Sequence, residues 1–356
     1  MSGPDLSDEL EALRETAARF AGEELAPAAR ASEAAGRWPA AVLTVLERFA
    51  LRGLDLPERL GGEGAGCLAK VVLLETLAGG DAGGLPAADQ PGPAAGALEH
   101  CPDAALAADV AKDCLAGGAQ CALRVPDAEL RAEATLAWTP GWPPPRWLFE
   151  SAGARLRLLE LAAPLAPTPA LAFHASGGGS TALAGARVAG EWTVPTPIGV
   201  AIRGRARLWC AAVALGVAQA AFDATLAYTR ERIVFGKPVA HHQGNAFELA
   251  VAVTHLQGAR LLVRDAADGC DRGDPHAGFW ATQAWLAASE AAVAVADLGV
   301  QLMGGHGFLV DHLAEKRFRE ARMLALLAGG RDAAEADVAE LVLDVPDPLF
   351  PLGAAP

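Results

Sequence analysis

The chain has 356 residues, 52% of them hydrophobic and 20% charged, with a formal charge of −14. That length exceeds the roughly 250–300 residues at which one core stops growing, so several packed domains are expected. The composition excludes global disorder, and the acidic balance excludes nucleic acid as the main partner, since phosphate-backbone binding needs concentrated Lys and Arg.

Residues 1–120 read as a helical domain. No basic stretch followed by an apolar run opens the chain, so no secretory signal is expected and the compartment implied is the cytoplasm. Ser7 offers an N-cap before Leu10, Leu13, Ala17 and Phe20, which recur at helical spacing; Pro27 is expected to close that helix. A second helix is expected over Ala40–Phe49. Leu54–Gly62 is rich in breakers, and a helix through Val71–Leu77 should end in the cluster Gly79, Gly80, Gly83 and Gly84.

Residues 121–200 change character. Trp138, Pro140, Trp142 and Pro143–Pro145 form a stiff break, and short apolar runs follow at Ala154–Leu161, Ala170–Phe173 and Thr181–Val188. Short runs bounded by Gly and Pro predict a small β domain. Ser176–Ser180 reads as a hairpin loop, because no helix onset follows to make it a phosphate cradle. Gly61–Gly66 has the composition of a nucleotide loop without its βαβ surroundings.

Residues 201–356 return to long helical segments, jointed at Gly236–Pro238, Gly269–Gly278 and Gly304–Gly307. The most apolar windows, Trp209–Tyr228 and Ala281–Met303, hold interior polar residues and are dominated by Ala. With a mean hydropathy of +0.23, they predict helices buried in a bundle or oligomer and no membrane span. The six cysteines show no metal-ligand spacing, so no metal site is expected and they read as small buried residues in a reducing compartment. The fold class is therefore mainly α with a small central β domain.

Three motifs in the last third share one explanation. They are Tyr228-Thr-Arg-Glu-Arg-Ile-Val-Phe-Gly-Lys-Pro238 followed by Gln243; Gln301-Leu-Met-Gly-Gly-His-Gly-Phe308; and Arg317-Phe-Arg-Glu-Ala-Arg-Met323. In this order and at these separations they resemble the C-terminal helical domain of the acyl-CoA dehydrogenases. Leu56-Pro-Glu-Arg-Leu-Gly-Gly62, with Leu74-Glu-Thr-Leu-Ala78 and Asp81, resembles that family's N-terminal helical domain. The resemblance implies a C-terminal four-helix bundle and FAD lying extended at a subunit interface. Arg232 and Gln243 would then meet phosphate, Phe235 would lie beside the adenine, and Gln301 with Gly304 and Gly305 would form a glycine-turn contact. A guanidinium forks onto phosphate oxygens, and glycine lets backbone N–H groups come close.

The same resemblance exposes losses. The family removes an α-proton with a carboxylate while hydride leaves to the flavin. At the usual position of that base the sequence has Ala328, followed by Gly329-Gly330 in place of Gly-Thr. At the position used by a minority of members it has Ala206, before Arg207. Glu320 and Asp332 lie nearby, but each suits an exposed helix end or a salt bridge better. The segment lining flavin and thioester is represented only by Ala122–Glu129. These features imply a subunit with no catalytic base that completes the FAD site of a complete acyl-CoA dehydrogenase partner in an α2β2 heterotetramer. The partner would bind most of the acyl-CoA, and an electron-transfer flavoprotein or similar protein would accept the electrons. Analogy within the family extends this to CoA thioesters of steroid side chains. Two alternatives remain: a homomeric flavoenzyme with a relocated base or different chemistry, and a non-catalytic scaffold or regulatory subunit.

Overall fold

The computed structural model describes residues 6–126, 135–168 and 170–344. Helix α1 (Asp8–Phe20) starts at the Ser7 cap, whose hydroxyl accepts from the Leu10 N–H at 3.3 Å, with Asp8, Glu9 and Glu11 placed favourably on the helix dipole. Pro27 does not close this helix. One wide turn, Ala21–Leu25, with Ala26 N–H bonding back to Ala21, leads directly into α2 (Ala26–Ala35). Re-phasing the ladder puts Pro27 in a first turn, where its missing N–H costs least. Gly36, at φ +67°, ends α2.

Then follow α3 (Ala40–Arg48), α4 (Gly66–Gly80), the short α5 (Leu85–Ala88) and α6 (Ala95–Glu99), and α7 (Ala104–Leu115). Almost every residue of α4 is buried, so it is a core helix and not an amphipathic one.

The middle region holds β1 (Gln120–Arg124), β2 (Thr135–Thr139), β3 (Pro145–Ala152), β4 (Arg155–Glu160), β5 (Ala166–Pro167), β6 (Gly179–Ala182) and β7 (Arg187–Thr193). One sheet has the order β1-β3-β4-β7, with only β1 and β3 parallel; the other has the order β2-β6-β5. Two sequence expectations change here. Ala170–Phe173 is not a strand: it is apolar because Phe173, 1% exposed, is buried beside Trp138 (ring centroids 6.0 Å apart) on an irregular stretch. Ser176–Ser180 is not a hairpin loop. Ser176 ends a short 3-10 turn, and Gly179 opens β6, lacking the Cβ that would strike the Ala166 carbonyl.

The C-terminal region is α8 (Thr196–Glu231), a two-stranded hairpin of β8 (Ile233–Val234) and β9 (Lys237–Pro238), then α9 (Gln243–Asp271), α10 (Ala277–Met303), α11 (Ala314–Leu324) and α12 (Gly330–Asp344). Helix α8, about 54 Å long at 1.5 Å per residue, is the central post against which α4, α9, α10 and α11 pack. Ala and Gly let the axes approach: a Cβ on Gly204 would lie 2.7 Å from the Gly278 backbone of α10. Three helices here are long and apolar enough to cross a membrane by length and composition alone. In the fold α8 is enclosed by its neighbours, whereas α9 leaves Phe247, Val251 and Leu262 exposed along one stripe.

Candidate functional site

Where α8 meets the β domain and the turn between α11 and α12, a cavity of about 90 Å³ is lined by Ala206 and Ala328 together, with Trp138, Trp209, Gln120 and Thr139. Ala206 comes from the middle of a buried helical face. Ala328 has φ +53° and is followed by Gly329 at +91° and Gly330 at +67°, a left-handed turn that alanine adopts only at a cost of roughly 1–2 kcal/mol. No carboxylate or imidazole is among the lining residues, of those described. The two thiols in the wall, Cys121 and Cys210, are no substitute base. Burial pushes Cys210 up to about 12 and Cys121 well above the usual thiol range.

Charge is plentiful just outside this cavity, but it is committed. Asp337 of α12 takes both Arg203 (2.7 and 2.9 Å) and Arg207 (2.5 Å), pinning α12 to α8. Burial alone would raise the Asp337 carboxyl; the two guanidinium groups pull it below the usual range. On the other side Asp89, fully buried, accepts from Lys70 (2.6 Å) and from the Trp209 indole (2.7 Å), which holds Trp209 in the cavity wall. Its carboxyl is raised, burial outweighing Lys70.

Glu320 is not at an exposed helix end. It is 2% exposed and salt-bridged to Lys316, which also bonds Asp81 at 2.6 Å. Helix α11 must bury this face against the end of α4, and only a paired carboxylate can follow it there. Asp332 is exposed, on the rim of a larger open cavity of about 800 Å³ between α10 and α11.

The residues assigned to a neighbour's cofactor lie at one end of the bundle. Helices α8 and α10 run in the same direction, so Arg232, just past α8, and Gln301, Gly304 and Gly305, closing α10, emerge together; Gln243 begins α9 beside them. The Tyr228 hydroxyl and His306 Nδ1, 2.7 Å apart, tie the two helix ends. All six residues are exposed. Phe235 stands at the hairpin tip, 93% exposed with φ +51°, its ring edge-on to His242. The Arg232 guanidinium has no hydrogen-bond or ion-pair partner among the described residues. A Cβ built on Gly304 or Gly305 meets nothing within 4 Å, so the backbone there is open to approach.

These two regions differ in how they fit FAD. Cofactor pockets usually enclose about 300–1,000 Å³, and the cavity at Ala206 and Ala328 is too small to take a flavin ring. The bundle end suits a diphosphate: an uncommitted guanidinium, two exposed amides and an open glycine turn are donors without competing partners.

Sequence reasoning missed Trp209, Gln120 and Thr139 as cavity walls. Gln120 Nε2 and Thr139 Oγ1 are buried without a hydrogen-bond partner among the described residues, a property visible only once the strands are paired. Of the segment Ala122–Glu129, Ala122 and Leu123 line the cavity, and 127–129 lie outside the described residues.

Comparison with known proteins accounts for this arrangement. Residues 203–343 match the family described as "Acyl-CoA dehydrogenase, C-terminal domain", and residues 7–101 match "Acyl-CoA dehydrogenase, N-terminal domain". Probable acyl-CoA dehydrogenase FadE25 of Mycobacterium tuberculosis is 26% identical over 365 aligned positions, covering 91% of this chain and 92% of that protein. Cyclohex-1-ene-1-carbonyl-CoA dehydrogenase of Geobacter metallireducens is 37% identical over 123 residues, 35% of this chain and only 32% of that relative.

Among solved structures, a Mycobacterium smegmatis glutaryl-CoA dehydrogenase in complex with FADH2 superposes with a TM-score of 0.75 at 16% identity, covering 96% of each chain. A structure described as the Tcur3481-Tcur3483 steroid ACAD G363A variant gives 0.74 at 22% identity, covering 95% of this chain and 98% of that one. At these identities the superpositions speak for the fold, which is shared from end to end. The two matched domains, in their order along one chain, identify this protein as a member of the acyl-CoA dehydrogenase family, whose members are FAD-binding flavoproteins.

Proposed function

We propose that this chain is the subunit without a catalytic base in a heteromeric FAD-dependent acyl-CoA dehydrogenase, and that it completes the FAD site of a complete partner subunit. The observation that carries this reading is the contrast between two parts of one chain. The cavity lined by Ala206 and Ala328 is small and presents no carboxylate, while Arg232, Phe235, Gln243, Gln301, Gly304 and Gly305 stand exposed at one end of the bundle. The apolar stripe Phe247, Val251 and Leu262 on α9, with Ile233 and Phe235 on the hairpin, supports burial of this end against another chain.

FAD, when bound, supplies the hydride acceptor for α,β-dehydrogenation of the acyl-CoA. The work of this chain is to hold and orient. Arg232 and Gln243 donate to the diphosphate, Phe235 covers the adenine, and the open turn at Gly304–Gly305 offers backbone N–H groups. Proton abstraction and most of the acyl-CoA contact fall to the partner. An electron-transfer flavoprotein or similar carrier takes the electrons, and the complex works in the cytoplasm. A bulky, ring-bearing acyl group, such as a steroid side-chain CoA thioester, suits an assembly with fewer active sites in enlarged pockets. The structural neighbour described as a steroid ACAD supports this choice by analogy.

Expressing the chain alone and with a complete family partner, then measuring bound FAD and dye-linked dehydrogenation, tests the proposal. Activity and full FAD occupancy are expected only for the pair. Stoichiometric FAD and full activity in the lone chain would sink the idea; an active pair whose FAD ignores Arg232→Ala would favour a scaffold instead.

A further inference from the structure

Away from both regions, a cavity of about 520 Å³ opens between the start of α4, the start of α8 and the loop joining α9 to α10. Cys67 and Cys270 both line it, with Arg205, His100 and Asp271. Cys67 lies in the first turn of α4 and Cys270 in the last turn of α9. The neighbouring Asp271 clamps these two helix ends together: its carboxylate accepts the backbone N–H groups of Cys67 (2.6 Å) and Leu68 (2.9 Å). Gly66, at φ +89°, makes room for that carboxylate. The clamp brings the two cysteines into the wall of one cavity.

We propose that Cys67 and Cys270 are a peroxide-sensitive dithiol whose oxidation to a disulfide staples the N-terminal helical domain to the C-terminal bundle. Cys270 is the attacking sulfur. It is the only one of the six cysteines that is not buried, and the cavity gives it access to a small oxidant. The neighbouring Cys67 thiol holds the Cys270 thiol below its usual range, burial opposing this and Arg205 assisting, while Cys67 is raised by its neighbour and by burial. A thiolate with its resolving thiol held beside it is the arrangement of a redox-sensitive pair.

The chemistry balances. The Cys270 thiolate attacks one peroxide oxygen, the O–O bond breaks, and hydroxide (or alkoxide from an organic peroxide) leaves and is protonated. Cys67 then attacks the resulting sulfenic acid, the S–O bond breaks and water leaves. Two thiols are oxidised and one peroxide is reduced. Cys114 and Cys121 form a built-in control: they share one core cluster, but at 0% and 2% exposed they lie within the core.

The test treats the full chain with a small excess of hydrogen peroxide, then denatures, alkylates and maps it by mass spectrometry. A peptide pair joined through Cys67 and Cys270 is expected, two hydrogens lighter than the reduced peptides and released by dithiothreitol. Cys67→Ser should leave Cys270 as a sulfenic acid trapped by dimedone, and the oxidised wild-type chain should melt higher than the reduced one, a difference abolished in Cys270→Ser. No peroxide-dependent linkage, or Cys270 reacting no faster than Cys114, overturns the proposal.

Discussion

Ala206 on α8 and Ala328 in the turn before α12 face the same cavity. The family offers two alternative places for one base, and a base at either must reach the same substrate carbon. The two positions that the resemblance names for a base thus lie in the wall of one cavity. Ala328, Gly329 and Gly330 all lie at positive φ, so the turn carries a non-glycine residue in the left-handed region.

Placing a carboxylate at position 328 should not confer catalysis on the lone chain. In Ala328→Glu the new side chain enters a cavity of about 90 Å³ already walled by Trp138 and Trp209, on a backbone that disfavours any side chain. A loss of about 1–3 kcal/mol in urea denaturation is expected, with no dehydrogenation by the lone chain. Unchanged stability, or activity gained, would show that the cavity is roomier than its walls indicate.

Arg232→Ala isolates the bundle end. Its guanidinium is exposed and uncommitted, so the stability of the lone chain should change by less than about 0.5 kcal/mol. In the complex, hydrogen bonds to a charged phosphate are each worth about 1.5–3 kcal/mol, and FAD should be retained roughly 10- to 100-fold more weakly. Flavin release during dialysis of the complex, followed by fluorescence, measures this.

The Arg203–Asp337–Arg207 clamp should govern acid stability. Its two guanidinium groups hold the Asp337 carboxyl below the usual value of 3.8. Its contribution is therefore fully present above that value and is lost as pH falls through the lower folded-state one. Asp337→Asn should cost about 3–5 kcal/mol at neutral pH, because Arg207, 0% exposed, loses its counter-charge. The variant should also flatten the decline below about pH 4. A variant that keeps the wild-type acid profile would count against the clamp.

Asp81 and Glu320 share Lys316 unequally. Asp81 also accepts the Trp38 indole N–H at 2.6 Å and the Gly83 N–H at 3.0 Å, while burial raises the Glu320 carboxyl. A raised folded-state value means that the fold disfavours the ionised form relative to the unfolded chain, even beside Lys316: stability from this group is fully present at low pH and lost as pH rises through that value. Glu320→Gln should then cost less than about 1 kcal/mol at pH 7, and Asp81→Asn about 2–4 kcal/mol. Chemical denaturation of the two variants side by side reverses this reading if Glu320→Gln is the worse.

Much of this was legible in the chain. Ser7 announced the first helix because capping is local, and the Gly and Pro punctuation of 121–200 announced strands because short apolar runs need turns. Pro27 misled because a single wide turn can absorb a missing N–H, and such a turn leaves no residue signature. Ala170–Phe173 misled because irregular backbone can bury part of an apolar run: Ala172 and Phe173 are enclosed while Leu171 is exposed. For Glu320 the sequence left two roles open, an exposed helix end or a salt bridge; it is in a salt bridge with Lys316 one turn earlier, and the packing of α11 on α4 buries the pair beside Asp81.

By itself the sequence determined the family, the order helix–strand–helix, and the absence of a carboxylate at positions 206 and 328, all of which are matters of residue identity and spacing. The family resemblance also proposed Arg232, Gln243 and Gln301 as cofactor contacts, and the structure places them exposed at one end of the bundle. Only the tertiary structure decided that Ala206 and Ala328 share one cavity, that Trp209 is held in its wall by Asp89, and that the Arg232 guanidinium has no partner among the described residues. Those facts depend on which surfaces the helices bury against one another, and that depends on three-dimensional closeness that no spacing along the chain encodes.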